Sequence, residues 1–109
     1  MVGKIEKRLS ELGIELPDPA APAANYVPFV VTGSLVFISG QVPVDATGLP
    51  YRGKVGDDVS QDDAVKAARL CGINILAALR QACDGDLDRV TRCVKLGGFV
   101  NGTPDFDQH

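Results

Sequence analysis

A single apolar stripe runs through residues 60–83 with the period of an α-helix. Its members recur at i, i+4, i+7, i+11, i+15 and i+18: Ala64, Ala68, Cys71, Ile75, Leu79 and Ala82. Ser60 is suited to the N-cap, the carboxylates of Asp62 and Asp63 favour the positive end of the helix dipole, and Asp84-Gly85 ends the helix. Because a long helix with one apolar face must bury that face, we expect it to lie on a sheet.

Two β-rich runs precede this helix. Tyr26 to Thr32 and Leu35 to Ser39 are joined by Gly33-Ser34, a small-residue pair that suits a tight reversal, so the sequence predicts a hairpin. Pro28 has no N–H to donate to a ladder, and we therefore expect it at the start of the first strand or on an edge.

The rest of the chain gives shorter elements. Lys4 to Leu12 has the spacing of an amphipathic helix, and residues 16–22 carry three prolines, which indicates an extended connector. Residues 42–58 are interrupted by glycines and predict a loop with a brief edge strand over residues 51–55. Val90 to Val100 predicts a further strand.

We therefore divide the chain into residues 1–22, an N-terminal helix with a Pro-rich leader, and residues 23–109, one domain. Two hairpin strands and one further strand would leave a sheet edge and part of the long helix uncovered. Asp105 to His109 has the composition of a helix start. We expect the domain to be incomplete at its C-terminus.

Composition excludes several function classes. The chain has 45% hydrophobic and 23% charged residues, which is typical of one globular domain. Its net charge of −3 and the lack of a Lys/Arg cluster disfavour nucleic-acid binding. No apolar stretch approaches the roughly 20 residues of a membrane span, and residues 1–12 are too charged for a signal peptide. We expect a cytoplasmic protein.

The cysteines and the histidine limit the possible chemistry. Cys71, Cys83 and Cys93 are odd in number and lack C-x-x-C spacing, so we expect reduced thiols rather than disulfides or a zinc site. His109 is the single histidine, which leaves no Ser-His pair or His-based metal site within the chain.

Three motifs in order resemble the RidA family of reactive intermediate (imine) deaminases, formerly labelled endoribonuclease L-PSP or translation-inhibitor proteins. They are Ser39-Gly40-Gln41 at a strand end, Asn74-Ile75-Leu76 in the long helix, and Gly85 to Val90 before a strand. The resemblance covers about Ala23 to Phe106, and the leader with Asn25 to Pro28 is similar to a less-studied branch.

The resemblance implies an α+β fold similar to chorismate mutase, with a mixed sheet packed on helices. It also implies a homotrimer with clefts that bind small carboxylic acids, and no metal or organic cofactor. The implied reaction is hydrolysis of a C=N bond in 2-imino or enamine acids, which gives 2-oxo acids and ammonia.

The same resemblance identifies Tyr26, Ser39 and Gly40 as substrate-binding residues. A glycine backbone lets a ligand approach closely, and a strand-end N–H or hydroxyl can bond a substrate oxygen. Pro104 stands where deaminases carry a cleft asparagine, which is a departure from the family pattern. The family's substrate arginine and water-activating glutamate are expected beyond His109, so the sequence identifies no catalytic residue.

Other interpretations remain for these residues. Ser39-Gly40-Gln41 can simply end a strand, and Tyr26 can be a half-buried packing residue. Arg52 and Lys54 are more simply a solvated pair than ligand contacts. The alternative function is a non-catalytic trimeric metabolite-binding protein of the same fold; RNA cleavage is less favoured, for want of a basic face and a histidine pair.

Overall fold

The computed structural model describes residues 3–19 and 25–109. Four regular elements and one short turn of helix follow in chain order: helix α1 (Lys4–Glu11), strand β1 (Phe29–Thr32), strand β2 (Leu35–Ile38), helix α2 (Gln61–Ala82) and a 3₁₀ turn (Leu87–Arg89). The predicted hairpin and both predicted helices are confirmed, each to within three residues at either end.

The hairpin is antiparallel, with Phe29 paired to Ile38 and Thr32 paired to Leu35. Gly33 in the reversal has φ +56°, a value that glycine adopts without a steric penalty. Beyond the strands, the Ser39 N–H donates to the Pro28 carbonyl at 2.9 Å. Pro28 has no N–H and so donates no hydrogen bond to the facing strand. The expectation that it lies at the start of the strand is confirmed.

Helix α2 has the termini that its sequence predicts. At the N-terminus the Ser60 hydroxyl accepts a hydrogen bond from the Asp63 N–H at 3.1 Å. At the C-terminus the Gly85 N–H donates to the Arg80 carbonyl at 2.8 Å, and both Asp84 and Gly85 have positive φ. This left-handed reversal ends the helix and leads into the 3₁₀ turn.

The chain forms two compact units. The first comprises Met1–Gln41 and Gly72–Cys93, and its buried residues are Leu9, Asn74, Ala77, Ala78, Cys83 and Leu87. The second comprises Val42–Cys71 and Val94–His109, and its buried residues are Val55 and Val59. Helix α2 therefore contributes its first half to the second unit and its second half to the first.

Helix α1 is fixed to the 3₁₀ turn of the first unit. Its N-cap, Gly3, has no side chain to bond the first helical N–H groups. Instead the Asp88 carboxylate accepts from the Lys4 N–H at 2.7 Å and from the Ile5 N–H at 2.9 Å. A Cβ on Gly3 would lie 2.7 Å from the Asp88 carboxylate, so a larger residue at this position would displace the carboxylate that caps α1.

The prediction of a strand over Val90–Val100 is wrong. Within the described chain the only named strands are β1 and β2, and Val94 and Leu96 are each 75% exposed. A β-rich composition gives a strand only where a partner supplies the ladder, and this segment pairs with none of the described residues. The predicted edge strand over residues 51–55 is reduced to isolated bridges from Val55 to Val59 and to Gly102.

The α+β class is confirmed: two helices accompany a small sheet. That sheet is the antiparallel β1–β2 pair, and the isolated bridges at Val55 are parallel. Part of the predicted Pro-rich connector falls on residues 20–22, which lie outside the described residues. No helix in the described part of the chain is long and apolar enough to cross a membrane.

Candidate functional site

Ser39 lies at the end of the hairpin and is half-buried. Its hydroxyl donates to the Val27 carbonyl, while its N–H donates to the Pro28 carbonyl at 2.9 Å. Both donors that sequence reasoning offered to a substrate oxygen are therefore used within the hairpin. Ser39 consequently fixes the Tyr26–Pro28 segment beside the strand end.

Gly40 follows Ser39 and is exposed. A Cβ built on it would meet no atom within 4 Å, and its N–H has no acceptor among the described residues. Next to it the Gln41 side-chain amide donates to the Ser39 carbonyl at 3.1 Å, which holds the backbone that leads into and out of Gly40. Gly40 thus presents an open backbone between two fixed neighbours.

Tyr26 is 44% exposed and is brought to the same end of the hairpin by the bond between Ser39 and Val27. The structure thus brings together the three predicted substrate-binding residues on one edge: Ser39 in a fixing role, Gly40 and Tyr26 accessible to solvent.

The hairpin beside this edge has two unlike faces. Phe29, Val36 and Ile38 share one face and are half-buried. Val30, Leu35 and Phe37 share the other face and are exposed, Phe37 by 58%. The first unit therefore leaves an apolar sheet face open to solvent.

The Asp58 carboxylate of the second unit has a structural role that sequence reasoning missed. The Asp58 carboxylate accepts from the Lys54 N–H at 2.6 Å and so closes the loop that contains both. Gly53 has φ +133° and lies so close to the Asp58 carboxylate that a Cβ would collide with it. This tight loop explains the position of Asp58.

A cavity of about 290 Å³ in the second unit was not predicted. The loop before α2, the first half of α2 and residues 99–109 form its walls. The signal was present in the sequence, because three members of the apolar stripe, Ala64, Ala68 and Cys71, line it. Burial raises the pKa of the Cys71 thiol, so this cysteine is not an activated nucleophile.

The first unit also has an open, mostly polar cavity of about 560 Å³, between α1, the segment after it and Arg80. Arg80 lies 3.8 Å from the Glu6 carboxylate at its wall. No group of three His, Cys, Asp or Glu side chains within residues 3–19 and 25–109 has the arrangement of a metal site. Within the described residues, none of Cys71, Cys83 and Cys93 forms a disulfide.

Residues 6–108 match the model of a protein family described as "YjgF/chorismate_mutase-like, putative endoribonuclease". The chain belongs to this family. The RidA/YjgF resemblance and the chorismate-mutase-like fold that it implied are thereby confirmed. The boundary between residues 22 and 23 stays a prediction, as does the role of each substrate-binding residue.

Relatives of this RidA/YjgF chain agree with the assignment. Protein TCP17 of Trypanosoma cruzi is 42% identical over 106 residues, which are 97% of this chain and 66% of that protein. The crystal structure of protein Atu1372 from Agrobacterium tumefaciens, of unknown function, superposes with a TM-score of 0.85 at 45% identity, over 95% of this chain and 63% of that one.

A second solved structure, a putative endoribonuclease from Shewanella oneidensis MR-1, has a TM-score of 0.72 at 42% identity and is matched over 77% of this chain and 55% of its own. The chain thus spans two thirds or less of the length of each of these relatives. Of the three, the Shewanella protein is described by an activity, as a putative endoribonuclease, whereas the names of TCP17 and Atu1372 state none.

Proposed function

We propose that this RidA/YjgF chain is a small-molecule deaminase that hydrolyses 2-imino or enamine acids to 2-oxo acids and ammonia. The observation that carries the proposal is the open Gly40 backbone between Ser39 and Gln41, at the position where the family motif has its cleft glycine. A bare amide beside an open space is suited to a small ligand's carboxylate or carbonyl oxygen.

In the proposed reaction, water adds to the carbon of the C=N bond and gives a carbinolamine. The C–N bond then breaks, the nitrogen leaves with the electron pair and takes up a proton, and the products are a ketone and ammonia. Neither oxidant nor reductant is required. The protein needs to bind the acid, exclude competing reactions and move protons.

We assign binding roles to the hairpin edge and leave the proton-transfer roles open. The Gly40 N–H and the Tyr26 hydroxyl would bind oxygens of the acid, while Ser39 acts as a positioning residue through its bonds to Val27 and Pro28. The family's arginine would grip the substrate carboxylate with two parallel hydrogen bonds. We assign neither it nor the family's glutamate to a residue of this chain.

We further propose that the protein assembles as a cytoplasmic homotrimer. The exposed face of the hairpin, formed by Val30, Leu35 and Phe37, supports this, because an apolar sheet face gains from being covered. A small carboxylic acid would bind at the clefts between subunits, in keeping with the family.

The second candidate function is binding without catalysis. The observation that favours it is that both donors of Ser39 are already used within the hairpin, so only Gly40 and Tyr26 remain to contact a ligand there. Pro104, in place of the deaminases' asparagine, also favours binding without catalysis.

Two measurements distinguish the candidates. A 2-imino acid generated in place by an amino-acid oxidase is supplied to the purified protein, and formation of the 2-oxo acid and ammonia is compared with buffer. A deaminase accelerates both, and a protein that only binds accelerates neither but is stabilised against heating by the 2-oxo acid. Degradation of RNA by a nuclease-free preparation would instead favour the activity that the family description names.

A further inference from the structure

Asn101 is the only asparagine of the chain that precedes a glycine; Asn25 precedes a tyrosine and Asn74 an isoleucine. The backbone nitrogen of the residue after an asparagine can attack the carbon of the side-chain amide. Glycine hinders this attack least, because it has no Cβ and its backbone turns freely. The Asn101-Gly102 pair is therefore the place in this chain where an asparagine side chain is most reactive.

The two reacting groups are accessible in the structure. The Asn101 side chain is exposed, whereas Asn74 is buried in α2. Among residues 3–19 and 25–109 the Gly102 N–H has no hydrogen-bond acceptor, although the N–H groups of Val55 and Thr103 beside it each have one. No hydrogen bond therefore holds the nitrogen that must attack.

The amide of Asn101, in contrast, is restrained by a bridge to the loop before α2. Its side-chain NH₂ donates to the Gly53 carbonyl at 3.1 Å, and its backbone carbonyl accepts from the Val55 N–H at 2.9 Å. The Thr103 N–H donates to the Val55 carbonyl at 3.0 Å and completes the bridge. Because these bonds oppose the side-chain and backbone rotations that ring closure needs, the reaction requires local opening of the bridge.

We propose that Asn101 is a site of spontaneous deamidation, and that its reaction releases the loop before α2 from residues 101–103. The Gly102 nitrogen bonds to the side-chain amide carbon of Asn101, and the carbon–nitrogen bond of the side chain breaks. The side-chain nitrogen leaves with the electron pair and gains a proton, while Gly102 loses one, so that ammonia and a cyclic imide result. Water then opens the imide at either carbonyl and gives aspartate or isoaspartate.

Either product prevents the bridge from closing again. A carboxylate has no donor for the Gly53 carbonyl, and two acceptors then face each other. Isoaspartate also lengthens the backbone by one carbon between the two bonds that Val55 makes with Asn101 and Thr103. The inference is independent of the proposed deaminase activity, because this site can release only one ammonia from each chain.

Mass spectrometry of the full chain tests the site. Folded protein and protein unfolded in guanidinium chloride are kept at the same mildly alkaline pH, and their fragments are followed for replacement of NH₂ by OH and for isoaspartate. We expect Asn101 to react before Asn25 and Asn74, and at least about threefold more slowly in the folded protein than in the unfolded one. Equal rates in both, or an intact Asn101 in the folded protein after the unfolded protein has fully reacted, would overturn the inference.

A second variant pair tests whether the bridge controls the reaction. Gly56→Ala places a Cβ 2.7 Å from the Thr103 hydroxyl oxygen and so weakens the bridge, whereas Gly48→Ala adds a Cβ that meets no atom within 4 Å. We expect deamidation of Asn101 to be at least about threefold faster in Gly56→Ala than in Gly48→Ala. The same rate in both folded variants would contradict control by the bridge.

The consequence of the reaction is tested by Asn101→Asp, which imitates one product. It should lower the melting temperature at pH 7 by about 4 °C, because it removes the bond to Gly53 and leaves two acceptors facing each other. Asn25→Asp adds the same charge at an exposed position of the first unit and is the control. If Asn101→Asp melts with the wild type and with Asn25→Asp, deamidation does not release the loop.

Discussion

At the scale of single residues, Ser39 and Gly40 have different roles at the end of the hairpin. The Ser39 hydroxyl and N–H donate hydrogen bonds to the carbonyls of Val27 and Pro28, before β1. The Gly40 backbone has open space beside it. A serine that only bound substrate would gain nothing from these bonds, and a glycine that only ended the strand would not need an open flank. Under the proposed function, Ser39 is a fixed support and Gly40 is the contact point beside it.

Replacing Gly40 by valine tests the contact point. The new side chain meets no protein atom at Cβ, so the melting temperature should stay close to that of the wild type. It would occupy the space that a ligand needs, and we expect binding of a 2-oxo acid to weaken at least tenfold, or by about 1.4 kcal/mol. Gly97→Val, at another glycine with open space, is the matched control; equal affinity in both variants would contradict a contact at Gly40.

Asp88 tests the attachment of α1. The N–H groups of Ile5 and Lys4 hold the pKa of the Asp88 carboxyl below its ordinary value of 3.8. Because the pKa is lower in the folded state, the carboxylate stabilises the fold above pH 3.8, and this contribution is lost as the pH falls below 3.8 toward the folded-state pKa.

We expect Asp88→Asn to melt at a lower temperature than the wild type at pH 7, and the difference to shrink below pH 3.8. Among the described residues, the Asp84 carboxylate pairs only with the exposed Arg89 side chain, so Asp84→Asn should change the melting temperature little. Equal melting of Asp88→Asn and wild type at pH 7 would show that the attachment does not contribute to stability.

At the scale of elements, the loop before α2 depends on contacts with a distant segment. Val55 bonds both Asn101 and Thr103, and Gly56, with φ +96°, lies so close to Thr103 that a Cβ would be 2.7 Å from its hydroxyl oxygen. Gly56 is therefore favoured by its backbone angle, and a side chain there would also displace the Thr103 hydroxyl.

Gly56→Ala should lower the free energy of unfolding by about 1 to 3 kcal/mol, because it adds a collision to the strain of a positive φ. Gly48→Ala is the control: Gly48 also has positive φ, at +109°, but its Cβ would meet no atom within 4 Å. Urea denaturation of both variants measures the difference. If Gly48→Ala costs as much as Gly56→Ala, the contact with Thr103 adds nothing.

The elements that could be predicted are those whose signals are local. Helix α2 has its apolar stripe, its N-cap and its glycine stop within one window, and the hairpin has its reversal between two β-rich runs. The contacts that could not be predicted join residues far apart: Asp88 with the start of α1, and Val55 with residues 101–103. The prediction of a strand over Val90–Val100 was wrong for the same reason, because a strand forms only where a partner strand pairs with it.

The candidate site, too, could be predicted only in part. The family resemblance predicted substrate-binding roles for Tyr26, Ser39 and Gly40, but it could not show that both Ser39 donors are used within the hairpin. The cavity in the second unit was missed because helical periodicity indicates which residues face inward and does not indicate whether the space beside them is filled.

At the scale of the whole molecule, the proposed trimer makes one prediction. Phe37→Asp places a charge on the exposed apolar face of the hairpin and should convert the trimer to monomers in light scattering, because burying an unpaired carboxylate is strongly unfavourable. Val31→Asp is the control, since Val31 is similarly exposed but lies on the other face. A wild-type monomer, or a Phe37→Asp trimer, would contradict assembly through this face.

We propose that the protein releases ammonia from 2-imino acids, and the rate of that release tests the proposal. The assay compares wild-type protein, Gly40→Val and buffer, with the imino acid freshly generated in each. We expect the rate of ammonia release to grow in proportion to the concentration of wild-type protein and to fall at least tenfold in Gly40→Val. Release by the wild-type protein that is no faster than in buffer would contradict it.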